Sequence, residues 1–197
     1  IEVTPTVPHN VSNTLAAAGL ARTVGTSHEN IRAAIQEFTP GRHRIEKVGE
    51  KDGITWINDS KATNPHAASA SIMSALSVIW IAGGLAKGAS MDELVARIKS
   101  RVRVAILIGE DRELIARELI EKAPHIELIR IDAPADYIKG GASNSLMEEV
   151  VRAALAKALA GDTVLLAPAC ASMDQFISYS DRGDRFKDAV EKVVTNG

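Results

Sequence analysis

The chain has 197 residues, 46% of them hydrophobic and 24% charged, with a net charge of −2. That is room for one full domain and a small appendage, and the near-neutral balance excludes bulk electrostatic recognition of nucleic acid or an acidic membrane. No apolar run reaches transmembrane length, no secretory signal pattern is visible, and the single cysteine, Cys170, excludes an internal disulfide and fits a reducing compartment.

The chain starts IEVTPTVPHN, without an initiator methionine, and enters a helical pattern within a dozen residues. A piece of a longer protein is the expectation. From Asn10 to Phe38 the pattern is helical, rich in Ala and Leu, with a first stop at Gly25. Thr26 and Glu29 stand at capping-box spacing before NIRAAIQEF, and Pro40-Gly41 ends the second helical run. The next stretch, RIEKVGEKDGITWIND, reads as two strands joined through Asp52-Gly53, a strong hairpin signal. Further strands are expected over residues 78–82, 102–108, 126–131 and 163–167, three of them almost continuously apolar, as strands buried on both faces should be. Between and after them run amphipathic segments, with Leu146, Val150, Ala154 and Ala158 on one face and Phe186, Ala189, Val190, Val193 and Val194 on another. The alternation predicts an α/β fold: a Rossmann-like, mostly parallel sheet with helices on both faces, preceded by a short helical remnant of another domain. The boundary is expected within residues 38–42, giving 1–38 and 39–197 as the two parts.

Ligands of open parallel sheets bind beyond the carboxyl ends of the strands. Three strand-end loops are rich in small and functional residues: DSKAT from Asp59, GGLAKG from Gly83, and PACASMDQF from Pro168. In an extended chain Asp59, Lys61 and Thr63 would line one face over about 13 Å. Asn64 is a fitting N-cap and Pro65 a fitting N1 residue for a helix whose first amides favour anions. From spacing alone, a capped loop with solvated charges fits these residues equally well. Gly83-Gly84 suggests either a tight turn or a phosphate cradle, but G-x-x-x-x-G-K-[ST] occurs nowhere in the chain. Lys87 is a surface lysine or a ligand group. Cys170 has no Cys-His pairing pattern and reads as a small buried residue. The five histidines, His9, His28, His43, His66 and His125, lack metal-ligand spacing, and no metal site is expected. His43-Arg44 suits a phosphate or a basic interdomain loop. His9-Asn10 with Asn13 suits a nucleobase, although capping by Asn10 explains that residue as well.

Taken in order, HNVSNTLAA, GRHRIEKV, INDSKATNP, GGLAKG, PACASMDQF and RGDRF resemble the Mur ligases, which build the peptide of bacterial peptidoglycan. The loop INDSKATNP is similar to that of the D-glutamate-adding branch; sibling ligases and folylpolyglutamate synthetases share the architecture but typically carry a His-Asn-Pro-type sequence there. The resemblance implies a cytoplasmic three-domain bacterial enzyme in which this chain supplies the end of the central ATP-binding domain and the D-glutamate-binding domain. It implies ATP and Mg2+ as cofactors, held mainly by domains outside this chain, and UDP-N-acetylmuramoyl-L-alanine and D-glutamate as substrates, with neither nucleic acid nor membrane insertion. The reaction implied passes through an acyl phosphate that the D-glutamate amine attacks. By position, Asn10, Asn13, His43, Arg44 and Asp59 would contact ATP, Lys61 would act at the phosphoryl group, and Thr63, Lys87, Ser172, Met173 and Tyr179 would hold D-glutamate. Tyr179 stands where the family often has phenylalanine. Without a P-loop the chain is expected to be inactive alone. The competing readings are a non-catalytic module binding an amino acid or a partner, a sibling Mur or folylpolyglutamate-type ligase, and a dinucleotide-binding oxidoreductase, for which G-x-G-x-x-G is missing.

Overall fold

The computed structural model describes residues 8–196, which divide into two compact units between Arg42 and His43. The first unit holds α1 (Pro8–Thr23) and α2 (His28–Glu37). Helix α1 stops where Gly25 takes φ +84°, with its N–H donated to the Arg22 carbonyl and that of Thr26 to Ala21. Only glycine enters that left-handed cap at little cost. Helix α2 starts one residue later than its expected box: Ser27, extended at φ −67° and ψ 155°, accepts from the Asn30 N–H at 3.2 Å. A hydroxyl of either Thr26 or Ser27 can cap, and the chain uses the second.

The second unit begins with a hairpin, β1 (Glu46–Lys51) and β2 (Ile54–Asn58). Asp52 and Gly53 both take positive φ, 54° and 75°, as a type I′ turn requires. There follow α3 (Pro65–Ile72), β3 (Val78–Gly83), α4 (Asp92–Ile98), β4 (Val102–Ile108), α5 (Arg112–Lys122), β5 (Glu127–Arg130), α6 (Ser145–Lys157), β6 (Thr163–Leu166) and α7 (Tyr179–Val190), which continues into one π-helical stretch, Glu191–Thr195. The sheet order is β1-β2-β6-β3-β4-β5, with β1 antiparallel and every other pairing parallel.

Alternation along each strand explains why the sheet is covered twice. Val78, Trp80 and Ala82 of β3 pack with Ala68 and Ile72 of α3, Leu94 and Ile98 of α4, and Ile115 and Leu119 of α5. Their neighbours Ile79 and Ile81 face the other way, toward Val150 and Ala154 of α6 and Phe186 and Val190 of α7. The periodic apolar residues of the last two helices are thus one wall of the core, and Trp56 of β2 lies 6.4 Å from Phe186 between ring centroids. One placement has no local cause: β6, last in sequence, lies between β2 and β3. The loops after β2, β6 and β3 therefore leave three adjacent strands at one edge of the fold.

Candidate functional site

The loop after β2 does not continue as an extended strip. Asp59 keeps the register by donating its N–H to the Leu166 carbonyl (2.8 Å), but the chain then turns. Ala62 N–H bonds the Asp59 carbonyl at 2.9 Å and Thr63 N–H the Lys61 carbonyl at 2.8 Å, so Asp59, Lys61 and Thr63 no longer share a straight face. The helix start after it is as expected: Asn64, at φ −145° and ψ 161°, accepts from Ala67 N–H at 2.9 Å, with Pro65 at N1.

Asp59 is buried, 8% exposed. Desolvation pushes its carboxyl up to about 6, against the opposing pull of the nearby Ser71 hydroxyl, the Ile45 amide and the Arg44 guanidinium. Lys61 is half-buried, with Nζ 3.9 Å from the centroid of the Tyr179 ring, a cation–π contact. Hydrogen bonding to Ser180 and Lys61 holds the Tyr179 phenol below its ordinary value. Tyr179 is the first residue of α7, behind Ser178, whose hydroxyl accepts from Asp181 N–H at 3.1 Å. The structure thus places Tyr179 beside Lys61 and, edge-on at 6.3 Å, beside the His43 ring.

His43 and Arg44 part company. Arg44 is exposed, while His43 is 3% exposed, so its ring serves as a brace. Its Nδ1 lies 3.0 Å from Asn58 Nδ2, which also donates to the Gly183 carbonyl at 3.0 Å. A Cβ on Gly183 would stand 2.3 Å from that ring nitrogen, so glycine there is what admits the imidazole. The His43 carbonyl in turn accepts from Lys61 N–H at 3.2 Å.

The second loop owes its glycines to close backbone approach. A Cβ on Gly83 would meet the Ile108 carbonyl at 1.9 Å, and one on Gly84 the Ala171 carbonyl at 2.0 Å. Beyond them Leu85 and Ala171 exchange two backbone bonds, 2.8 and 2.9 Å, joining the loops after β3 and β6. Ala86 N–H is taken by the Asp111 carboxylate at 2.8 Å. Lys87 follows, exposed and at φ 52°.

The third loop passes from Ala169, at φ 60°, whose N–H bonds the Ala62 carbonyl at 2.9 Å, to the buried Ser172 and the exposed Met173. Cys170 is fully buried, and desolvation pushes its thiol up to about 12, an inert setting. Asn10, half-buried, and Asn13, exposed, lie on α1 in the other compact unit; the side chain of His9 lies outside the described residues. No group of three or more His, Cys, Asp or Glu side chains suited to a metal ion occurs among the described residues. No helix among them is long and apolar enough to cross a membrane.

Two residues that organise this edge, Asn58 and Arg182, give little sign of it in sequence. Asn58 ends an apolar strand with a carboxamide, and its Oδ1 also accepts from Ser60 N–H at 3.1 Å. Arg182 stands in RGDRF directly before the glycine that meets His43. The edge as a whole offers two lysines and an arginine for anionic groups and a buried carboxylate for hydroxyl donors.

A family profile described as Mur ligase, glutamate ligase domain, matches residues 43–170. The UDP-N-acetylmuramoylalanine--D-glutamate ligase of Streptomyces coelicolor is 48% identical over 98% of this chain and 39% of its own length. That of Mycobacterium avium is 46% identical over 95% of this chain and 42% of its own. This chain therefore spans about two fifths of the relatives it matches. Among solved structures, the UDP-N-acetylmuramate-alanine ligase MurC of Thermotoga maritima superposes with a TM-score of 0.64 at 14% identity, covering 99% of this chain and 40% of that one. A pseudomurein peptide ligase type C of Methanothermus fervidus gives 0.62 at 19% identity, over 98% and 37%; at such identities the likeness is one of fold. With its sheet, its glycine-tight loops and the matched residues 43–170, the chain belongs to the Mur ligase family and carries its glutamate ligase domain.

Proposed function

We propose that this chain is the C-terminal part of a ligase that adds D-glutamate to UDP-N-acetylmuramoyl-L-alanine at the expense of ATP, in the bacterial cytoplasm. The observation that carries the reading is the convergence of DSKAT, GGLAKG and PACASMDQF on three adjacent strand ends, in a chain nearly half identical to ligases of that name. Residues 1–38 then belong to the end of the ATP-binding domain, and residues 39–197 form the amino-acid-binding domain.

The residues fit ATP in part. Arg44 offers an exposed guanidinium to phosphate or ribose oxygens, and ionised Asp59 offers oxygens to ribose hydroxyls. Asn10, Asn13 and His43 remain the other nucleotide-side candidates, with His43 acting through Asn58 and Lys61 because its ring is buried. ATP supplies the phosphoryl group that activates the L-alanyl carboxylate; no step is assigned to magnesium, for which the described residues form no three-ligand cluster. Lys61, steadied over Tyr179, would neutralise charge on the transferring phosphoryl group. Lys87 and Thr63 would hold the D-glutamate carboxylates, with Ser172, Met173 and Tyr179 bounding the amino acid, so that its amine is aimed at the acyl carbon. Closure onto the other domains would then exclude water from the acyl phosphate.

The test is ADP release by the full-length protein with UDP-N-acetylmuramoyl-L-alanine and either enantiomer of glutamate. Turnover with D-glutamate alone is expected, and Lys87→Ala should raise its KM by about 10–100-fold, the loss of one charge-assisted contact. Equal turnover with both enantiomers, or an unchanged KM in the variant, would overturn the assignment.

A further inference from the structure

Arg182 is the only arginine or lysine among the described residues that is buried, with none of its surface exposed. Its partners are all uncharged. Nε donates to Ser60 Oγ at 3.0 Å, Nη2 to the Ser60 carbonyl at 3.0 Å, and Nη1 to the carbonyls of Cys170 at 3.2 Å and Gly83 at 3.5 Å. Among the described residues no carboxylate comes within ion-pair distance; Asp174 acts on it only through a longer-range attraction. A buried guanidinium without a counter-ion is costly, and an apolar side chain of similar volume would serve stability as well. What the apolar side chain would lack is the fork.

The three residues that the fork grips are spread over the three loops. Ser60 lies between Asp59 and Lys61, Gly83 opens the loop to Lys87, and Cys170 stands two residues before Ser172. Ser60 Oγ passes the link on by donating to the Tyr179 carbonyl at 2.7 Å, at the start of the helix that carries Arg182 itself. The next residue, Gly183, receives the His43 ring. We propose that Arg182 is a positioning residue, whose planar fork holds the loops after β2, β3 and β6 at fixed separations and thereby sets where Lys61, Lys87 and Ser172 stand relative to one another. That those side chains meet substrates rests on the function proposed above; that the fork fixes their spacing does not. A lysine cannot replace it, since a single ammonium does not reach acceptors on three loops in one plane. Burial lowers the guanidinium only to about 10, so the fork is charged at neutral pH.

The test is hydrogen exchange, read by mass spectrometry on the full-length protein and its Arg182→Lys variant. Peptides covering residues 59–63, 83–87 and 168–173 should exchange at least about tenfold faster in the variant, while residues 51–55 and 159–163, at the other end of the sheet, stay within about twofold. Equal acceleration at both ends would reduce Arg182 to a general stabiliser and overturn the proposal, as would unchanged loops. Should Arg182→Lys fail to fold, Ser60→Ala, which removes only the Nε contact and the link to Tyr179, is read in the same way. In Arg182→Ala, millimolar guanidinium should restore slow loop exchange where methylammonium does not; no difference between the two cations counts against the fork. In the ligase assay, Arg182→Lys should raise the KM values for ATP and D-glutamate together. Localised exchange in a protein without ligase activity would sink the function and leave the positioning role standing; an active ligase with unlocalised exchange would do the reverse.

Discussion

The two ends of the sheet treat buried charge in opposite ways. At the end where the parallel strands begin, Asp162 is 4% exposed and completely served. It takes Arg103 Nη2 at 2.5 Å, the Ser77 hydroxyl at 2.6 Å and the Leu159 amide at 2.8 Å. Burial would push its carboxyl up, but these donors outweigh it and leave Asp162 below its usual range. At the end where the strands finish, Asp59 is pushed up to about 6 and Arg182 is buried among neutral acceptors. Backbone strain follows the same division. His43, Ile45, Lys87 and Ala169 take positive φ at the loop end, whereas Asp52, at the opposite end, does so inside a turn type that demands it. A β-branched residue such as Ile45 in that region is a true outlier. One end satisfies its buried charge in full, whereas the other carries desolvated charge and backbone strain, the pattern expected of a functional edge.

Three substitutions would break or sharpen this contrast. Asp162→Ala should cost the most, about 2–4 kcal/mol in denaturant unfolding, because it leaves the Leu159 amide and the Ser77 hydroxyl without their acceptor and opens a buried site, while Arg103 keeps the Lys157 carbonyl; in the ligase assay of the proposed function the KM for D-glutamate should not move, and a large change there would erase the division between the ends. Asp59→Asn should act in the opposite direction. The folded-state value of Asp59 lies above the unfolded 3.8, so its favourable contribution is present below that pH and is lost as pH rises through about 6. The variant should therefore gain on the order of 3 kcal/mol at pH 7 and show a flatter stability profile from pH 4 to 6. Under the proposed function, it should also bind ATP more weakly in the full-length protein. A wild-type profile that climbs through this window would contradict the desolvated carboxylate. The smallest effect is expected for Ala169→Gly, which relieves a left-handed alanine and should stabilise by about 0.5–1 kcal/mol, as judged by the unfolding midpoint. A loss of stability there would mean that the loop is not strained.

What the sequence discloses is what local physics decides. The Asp52-Gly53 hairpin, the Asn64 cap with Pro65 behind it, and the strands with apolar residues on both faces all follow from neighbouring residues, and the structure contains them. Where two local choices compete, as at Thr26 and Ser27, the reading slips by one residue. The turn after Asp59 could not be read at all, because it is shaped by Leu166, His43 and Arg182, which lie far away in the chain. Burial of His43 depends likewise on an absent side chain at Gly183. A charged residue in an amphipathic helix is ordinarily taken for a solvated one, and Arg182 was hidden by that rule. The strand-end loops could be singled out by their composition, but their adjacency rests on where β6 inserts, and no periodicity encodes that.

That insertion also orders how the domain can be made. Until Thr163–Leu166 is synthesised, β2 and β3 lack the strand that lies between them in the finished sheet, and each would have an edge without its partner. The β2 edge thus waits from Asn58 to Thr163 for its partner and the β3 edge from Gly83 to Thr163, and the step that joins them is non-local and intrinsically slow. The same late strand zips both halves and delivers the PACASMDQF loop between the other two. Completing the sheet and assembling the candidate site are one event, so a partly folded domain has no partly formed site to offer a substrate.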